Sequence, residues 1–194
     1  MSHEASKAMH RRYFQGSYFK YFRGRCLDIG CGPDSINKHI IAFPLISKVD
    51  NWDLPQGDAQ YLETIEDNTY DTIHASHLLE HLVDPRIGLE NFIRVAKPGA
   101  HIIICVPELY MYEKSKENLF KFNTDHKHSF TIHNDNTFSD FNINIVDLAA
   151  KFSNKVETLK IEKIEDFYIP TDKLFDQTQL PNIEASVEWI LRKR

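Results

Sequence analysis

Short apolar runs alternate with helix-like patterns along the first half of the chain. Four runs are typical of buried strands because each is short, apolar and bounded by turn-forming residues; they cover residues 25–29, 45–50, 70–76 and 101–106. Apolar side chains at helical spacing predict helices over residues 36–42 and 85–96. Strands that alternate with helices form a mostly parallel sheet covered by helices on both faces, so the sequence predicts an α/β fold.

The 194 residues fit a single domain. We expect four parts, namely an N-terminal helix, a sheet core, an excursion beyond the sheet edge, and a C-terminal helix with strands, over residues 1–23, 24–106, 107–136 and 137–194. The excursion is predicted because its segment is polar, aromatic and rich in His and Lys. Further elements are predicted as helices over residues 4–22, 113–119 and 137–152, and strands over residues 156–167 and 185–191.

Composition excludes several classes of protein. The formal charge of −5 argues against strong nucleic-acid binding, which needs many cationic side chains. The first 25 residues lack the apolar centre of a signal peptide, and the apolar runs are too short to span a membrane. The three cysteines form no Cys-x-x-Cys pair. We therefore expect a cytoplasmic protein without a membrane partner, while the oligomeric state stays open.

A glycine-containing loop, Asp-Ile-Gly-Cys-Gly-Pro-Asp, follows the first predicted strand at residues 28–34. Gly30 and Gly32 allow the backbone to turn sharply and to approach a ligand closely. Asp28 would repel a pyrophosphate, yet its carboxylate suits a ligand with a cationic amino-acid end. The loop therefore predicts a small-molecule site at the carboxyl end of this strand.

Two acidic positions extend this predicted site. Asp50, about 20 residues beyond the loop at the end of the second predicted strand, can accept both hydroxyls of a ribose; Asp53 is a nearby competitor for that role. Farther along, Asp58 can accept a hydrogen bond from the exocyclic amine of a purine, and Ala59 lets the base lie flat. A glycine loop, an acid suited to a ribose and a pair suited to adenine follow one another in this order, which indicates a bound nucleoside.

Four ordered motifs resemble those of the class I S-adenosylmethionine-dependent methyltransferases. They are the acid-x-Gly-x-Gly loop, the acid after the second strand, the Asp-Ala pair, and the Lys-Pro-Gly turn at residues 97–99. Residues 76–85 are also similar to the matching stretch of the small-molecule branch of that family. The resemblance spans roughly residues 24–107, and it departs from the family at Asp34, where many members have a third glycine.

The resemblance implies a Rossmann-like, doubly wound sheet of seven strands and S-adenosylmethionine as the methyl donor. The methionine end of the donor would meet Asp28, Gly30 and Gly32. The ribose would meet Asp50, and the adenine Asp58 and Ala59. Ser76, at the end of its strand, would lie under the sulfonium.

Histidines cluster after the strand at residues 70–76 and again in the excursion, and three interpretations stay open. The stretch around His81 is a local helix start, or a histidine is the general base, the candidates being His77, His126 and His128. Alternatively, a divalent metal is bound by His77, Glu80, His81 and a later histidine. Imidazole and carboxylate ligands together suit zinc, iron or manganese better than magnesium.

The acceptor is expected to meet residues 107–136, whose aromatic and basic side chains suit a sugar, a nucleotide sugar or another anionic small molecule. The sequence thus predicts a methyltransferase that acts on a hydroxyl or an amine of a small molecule. One alternative is a non-catalytic domain that binds the cofactor or a partner. An NAD-dependent dehydrogenase is disfavoured because Ser35 stands where its G-x-G-x-x-G loop has glycine.

Overall fold

The computed structural model describes residues 3–133 and 138–194. The strands are β1 Gly24–Ile29, β2 Ile46–Trp52, β3 Tyr70–Ser76, β4 Ala96–Pro107, β5 Ser129–Thr131, β6 Asn142–Asn144, β7 Val156–Ile164 and β8 Ser186–Lys193. The α-helices are α1 Glu4–Gln15, α2 Pro85–Val95, α3 Leu109–Tyr112 and α4 Ile145–Lys151. Short 3₁₀ helices cover Ile36–Ala42, Leu79–His81, Lys116–Asn118 and Gln177–Gln179.

Six strands form the main sheet, in the order β2-β1-β3-β4-β8-β7, and β5 pairs with β6 alone. Strands β2, β1, β3 and β4 are parallel, whereas β8 is antiparallel to both of its neighbours. Because β1 lies between β2 and β3, the chain changes direction across the sheet at β1. Ligands of such sheets bind at the carboxyl ends of the strands beside this switch point.

The α/β, Rossmann-like class is confirmed, but the main sheet of the described residues has six strands and not seven. Residues 53–69, between β2 and β3, form successive turns. Their sequence has Pro, Gly, Asp and Asn at close intervals, and none of its apolar runs is long enough for a strand. This turn-rich segment therefore adds no strand between β2 and β3 to the main sheet.

Three helix boundaries differ from those predicted. Helix α1 stops at Gln15, since Gly16 adopts a left-handed backbone with φ 64° that ends the helix. Helix α4 begins at Ile145, because the side chain of Asn144 caps it; the start predicted at Thr137 lies outside the described residues. The helix predicted over residues 113–119 is reduced to the 3₁₀ helix Lys116–Asn118, and α3 ends just before the predicted range.

Helices cover both faces of the sheet, as expected for this fold. Ile103 and Ile190 face the side covered by α1, where they join a core cluster with Met9. Their neighbours Ile102 and Trp189 face the other side, in the cluster that contains residues of α2 and α4. Alternate residues of the central strands thus serve two apolar cores.

No helix within residues 3–133 and 138–194 is long and apolar enough to cross a membrane.

Candidate functional site

The loop after β1 forms one wall of a cavity of about 180 Å³, with Ser76 and His77 opposite. Gly30 and Gly32 have φ values of 66° and 48°, a region that glycine occupies without strain. A Cβ at Gly30 would lie 2.7 Å from Leu78 Cδ1, so this position also needs the smallest side chain. The backbone therefore lies open to the cavity, as the sequence predicts.

Asp28 is buried at the base of this loop, and both of its carboxylate oxygens have partners. Oδ1 lies 2.7 Å from His74 Nδ1, and Oδ2 accepts a 2.8 Å hydrogen bond from the Ile36 amide. The carboxylate lines the cavity but also holds the loop in place from below. Its structural contacts were not foreseen, because they join residues that are far apart in sequence.

A charged chain continues behind Asp28 into α1. Arg12 Nη1 lies 3.1 Å from His74 Nε2; because a guanidinium only donates, Nε2 accepts, and Nδ1–H donates to Asp28. Arg12 also forms an ion pair at 2.5 Å with Glu188 of β8, and both side chains are fully buried. The glycine loop is thus connected to α1 and β8 through paired, buried charges.

Asp34 fastens the start of α1 over the cavity. Its carboxylate accepts hydrogen bonds from the Ser6 amide at 2.9 Å and from the Ser6 hydroxyl at 2.5 Å. The amide is one of the unpaired donors of a helix N-terminus, which a carboxylate satisfies well. This contact brings Glu4 and Ala5 to the cavity lining. The residue that replaces the third glycine of many methyltransferases therefore attaches a helix here.

The acid at the end of β2 is Asp53 rather than Asp50. Asp50 pairs with Arg25 and Lys48, each at 2.6 Å, and lines none of the described cavities that contain the loop. Asp53 Oδ2 accepts a 2.9 Å hydrogen bond from the Gly32 amide. Strand β2 continues to Trp52, two residues beyond the predicted strand end, so the residue that follows the strand is Asp53.

A groove of about 590 Å³ extends from Gly30 and Gly32 past Asp53 to Asp58 and Ala59. Leu78 and Leu82 supply an apolar wall on its other side. The groove thus has a carboxylate near the loop and an apolar slot farther away. Asp58 and Ala59, predicted to bind adenine, both line this groove.

His77 lies where this groove, the loop cavity and a third cavity meet. Its ring nitrogens Nδ1 and Nε2 each lie 3.2 Å from a hydroxyl, those of Ser76 and Ser186. Burial, reinforced by the neighbouring cationic groups, lowers the pKa of His77 to about 3. The imidazole is consequently neutral at neutral pH and a weak base.

We name the third cavity, of about 350 Å³, the acceptor-side cavity, because part of its lining belongs to residues 107–136, where the sequence predicts the acceptor. Its lining includes Glu4, His77, Glu80, His81, Tyr112, His126 and Asp176. The carboxylate of Glu80 is fully buried, and neither oxygen has a hydrogen-bond partner among the described residues. Burial raises the pKa of Glu80 to about 8. The His81 and His126 rings lie beside it, with centroids 4.8 Å apart.

His128 does not join the other candidate bases. Its Nε2 donates to the Val83 carbonyl at 3.2 Å, and the residue lines a separate cavity of about 500 Å³. The His128 amide donates to the Glu80 carbonyl, which fixes the backbone at this point. From there the His128 side chain enters a different cavity from that of His126. Of the three predicted bases, the structure brings together His77 and His126.

Sequence reasoning missed Glu4 and Ser186, which reach the site from α1 and β8. Neither belongs to a motif, and each lies more than 70 residues from its contacts at His77.

The fold is shared with solved methyltransferase structures. A SAM-dependent methyltransferase from Archaeoglobus fulgidus aligns with a TM-score of 0.63 at 22% identity, covering 100% of this chain and 95% of that one. A putative S-adenosylmethionine-dependent methyltransferase from Listeria monocytogenes aligns with a TM-score of 0.60 at 12% identity, covering 98% and 99%. At these identities the likeness shows the fold.

Sequence comparison adds two findings. A segment of 40 residues is 42% identical to the demethylmenaquinone methyltransferase of Clavibacter sepedonicus, and it spans 21% of this chain and only 16% of that relative. Residues 10–136 match the family described as Methyltransferase domain. Because this match covers more than half of the chain, the chain belongs to that methyltransferase domain family.

Proposed function

We propose that this protein transfers a methyl group from S-adenosylmethionine to a hydroxyl or an amine of a small molecule. The observation that carries the proposal is the meeting of three cavities at His77. Two of them suit the donor, and the third supplies a separate space for an acceptor. A domain that only binds the cofactor needs no second space in this position.

The residues present fit the donor. Its amino-acid end suits the exposed backbone of Gly30 and Gly32, which a Cβ at position 30 would obstruct. Its ribose suits the carboxylate of Asp53, which lies between the loop and the slot. Its adenine suits the slot between Ala59 and Leu78, with Asp58 available to accept from the exocyclic amine.

Methyl transfer requires chiefly that the acceptor atom, the methyl carbon and the sulfur lie in line, because the sulfonium is already activated. Ser76 and His77 border both the loop cavity and the path to the acceptor-side cavity, so they suit the wall around the transferred methyl group. We assign His77 a positioning role, since its low pKa makes it a poor proton acceptor. His126, buried in the acceptor-side cavity, is the better candidate for a base.

The lining of the acceptor-side cavity narrows the expected acceptor. The described lining residues include the acids Glu4 and Asp176 but neither Lys nor Arg. A nucleotide sugar would bring phosphate charges against these acids, which costs free energy in a partly enclosed site. An uncharged polyol or an amine is therefore the favoured acceptor.

Two measurements test the proposal. Calorimetry should detect S-adenosylmethionine binding and no comparable NADH binding. Incubation with methyl-labelled donor and a small-molecule extract should then yield a labelled product. A folded protein without affinity for S-adenosylmethionine would overturn the assignment, whereas binding without any labelled product would favour the non-catalytic alternative.

A further inference from the structure

Glu80 presents a structural problem that methyl transfer does not explain. Its side chain is fully buried on the 3₁₀ helix Leu79–His81, and both carboxylate oxygens lack a hydrogen-bond partner among the described residues. An unpaired buried carboxylate costs several kcal/mol, so native proteins pair such groups, protonate them or place a cation beside them. The cavity in front of Glu80 offers room for a cation.

Two imidazoles lie within reach of that carboxylate. Glu80, His81 and His126 each offer one ligand atom, and these atoms all lie within 4.8 Å of one another. Zinc lies about 2.0–2.2 Å from its nitrogen and oxygen ligands. Rotation of these side chains would therefore have to bring the three ligand atoms closer to one another. One carboxylate with two imidazoles is a ligand set that transition cations favour over magnesium.

Carboxylates also stand behind both rings. His81 Nδ1 lies 3.0 Å from Asp125 Oδ2, and His126 Nδ1 lies 3.6 Å from Glu113 Oε1. Metal-bound histidines usually donate the second ring N–H to such a carboxylate, which fixes the tautomer and leaves the other nitrogen for the metal. The acceptor-side cavity thus contains three candidate ligands, together with a carboxylate that is hydrogen-bonded to His81 and a second carboxylate close to His126.

We propose that Glu80, His81 and His126 bind a divalent transition cation, of which zinc is the best match to the ligand set. His77 is not among the ligands, in contrast to the sequence-based expectation, because its two nitrogens already face Ser76 and Ser186. An ammonium group of an amine acceptor would neutralise Glu80 too, but it would leave the paired orientation of the two imidazoles unexplained.

Three protein ligands leave at least one coordination position for a further group. That position would face the acceptor-side cavity, where it could take a hydroxyl oxygen of the acceptor. The cation would then lower the pKa of that hydroxyl. Because a metal-bound imidazole has no free nitrogen to accept a proton, the cation would replace His126 as the group that activates the acceptor. This role rests on the proposed methyl transfer, whereas metal binding itself does not. The two are therefore tested separately.

The test titrates the tag-free protein with cobalt(II), whose visible absorption reports coordination by imidazole, and then displaces cobalt with zinc. We expect an absorption band with one equivalent of cobalt, and a loss of affinity of about 10-fold or more in Glu80→Gln and in His126→Ala. His128→Ala is the matched control, because its imidazole lies in a separate cavity and bonds to the Val83 carbonyl; it should bind cobalt like the wild type.

Circular dichroism and calorimetry with S-adenosylmethionine accompany every variant, so that misfolding and loss of the donor site are recognised independently of metal binding. A wild-type protein without a cobalt band overturns the proposal. So does a band that survives unchanged in folded Glu80→Gln and His126→Ala, since the metal would then be bound elsewhere. Donor binding in such a protein would leave the methyltransferase proposal intact.

Discussion

The carboxylate of Asp53 accepts a 2.9 Å hydrogen bond from the amide of Gly32. This contact joins the residue that follows β2 to the glycine loop that follows β1, across the switch point of the sheet. It places a negative charge between the loop and the slot beside Ala59. A ribose that spans this distance would meet Asp53 first.

Asp53→Ala should therefore weaken S-adenosylmethionine binding by roughly 10- to 100-fold, the value of one or two hydrogen bonds to a charged group. Calorimetry gives the affinities directly. Asp50→Ala is the matched control, because Asp50 pairs with Arg25 and Lys48 away from the groove, and its affinity should stay within about 2-fold of the wild type. The opposite ranking of the two variants would return the ribose role to Asp50.

Gly30→Ala should impair donor binding more than it impairs folding. The left-handed backbone alone costs about 1–2 kcal/mol, and the new Cβ would push Leu78 towards the groove. Gly16 also has a positive φ, 64°, and nothing within 4 Å of an added Cβ, so Gly16→Ala strains the backbone without a steric clash. Thermal unfolding compares the two stabilities, and calorimetry compares the affinities; equal donor affinity in both variants would contradict the steric argument.

Glu188 should make the stability depend on acid pH. Burial raises its pKa, but the guanidinium groups of Arg12 and Arg11 outweigh burial and lower it to about 2. A depressed acid stabilises the fold above its unfolded pKa, near 4.5, and loses that contribution as pH falls from there towards 2. Urea unfolding across this range should show the decline.

Glu188→Gln should remove about 3–5 kcal/mol at neutral pH, since it leaves the buried Arg12 without its partner. The remaining stability should also vary less between about pH 4.5 and pH 2. Glu157→Gln, on the neighbouring strand, breaks an exposed pair with Arg192 and should cost less than about 1 kcal/mol. Parallel pH curves for the wild type and Glu188→Gln would show that Glu188 does not carry the acid sensitivity.

His77 should not titrate in the physiological range. With a pKa of about 3 its imidazole stays neutral between about pH 5 and pH 8, where an ordinary histidine changes charge. NMR of the imidazole carbons follows this directly, with the His77→Gln spectrum identifying the resonance. A midpoint near 6.5 would restore His77 as a candidate general base.

Much of the sheet could be predicted because its strands are apolar runs bounded by turns, and the structure contains strands over all four predicted core segments. The position of Asp50 inside β2 could not be predicted, because periodicity does not locate a strand end: Asn51 and Trp52 continue β2 although only Trp52 is buried. His128 was grouped with His126 by proximity in sequence, yet the backbone bond of the segment to Glu80 directs the two rings into different cavities. The cytoplasmic location and the weak affinity for nucleic acid stay predictions.

The contacts of α1 could not be predicted at all, because a pair such as Ser6 with Asp34 depends on how distant segments pack. Those same contacts have a consequence for local unfolding. Asp34 bonds to Ser6 of α1, and Arg12 of α1 reaches Asp28 of the loop through His74. Neither segment can therefore open while the other keeps its partners. The amides of α1 and of the loop should therefore exchange with solvent deuterium as one cooperative unit. A ligand that binds to the loop and slows exchange there should also slow exchange in α1.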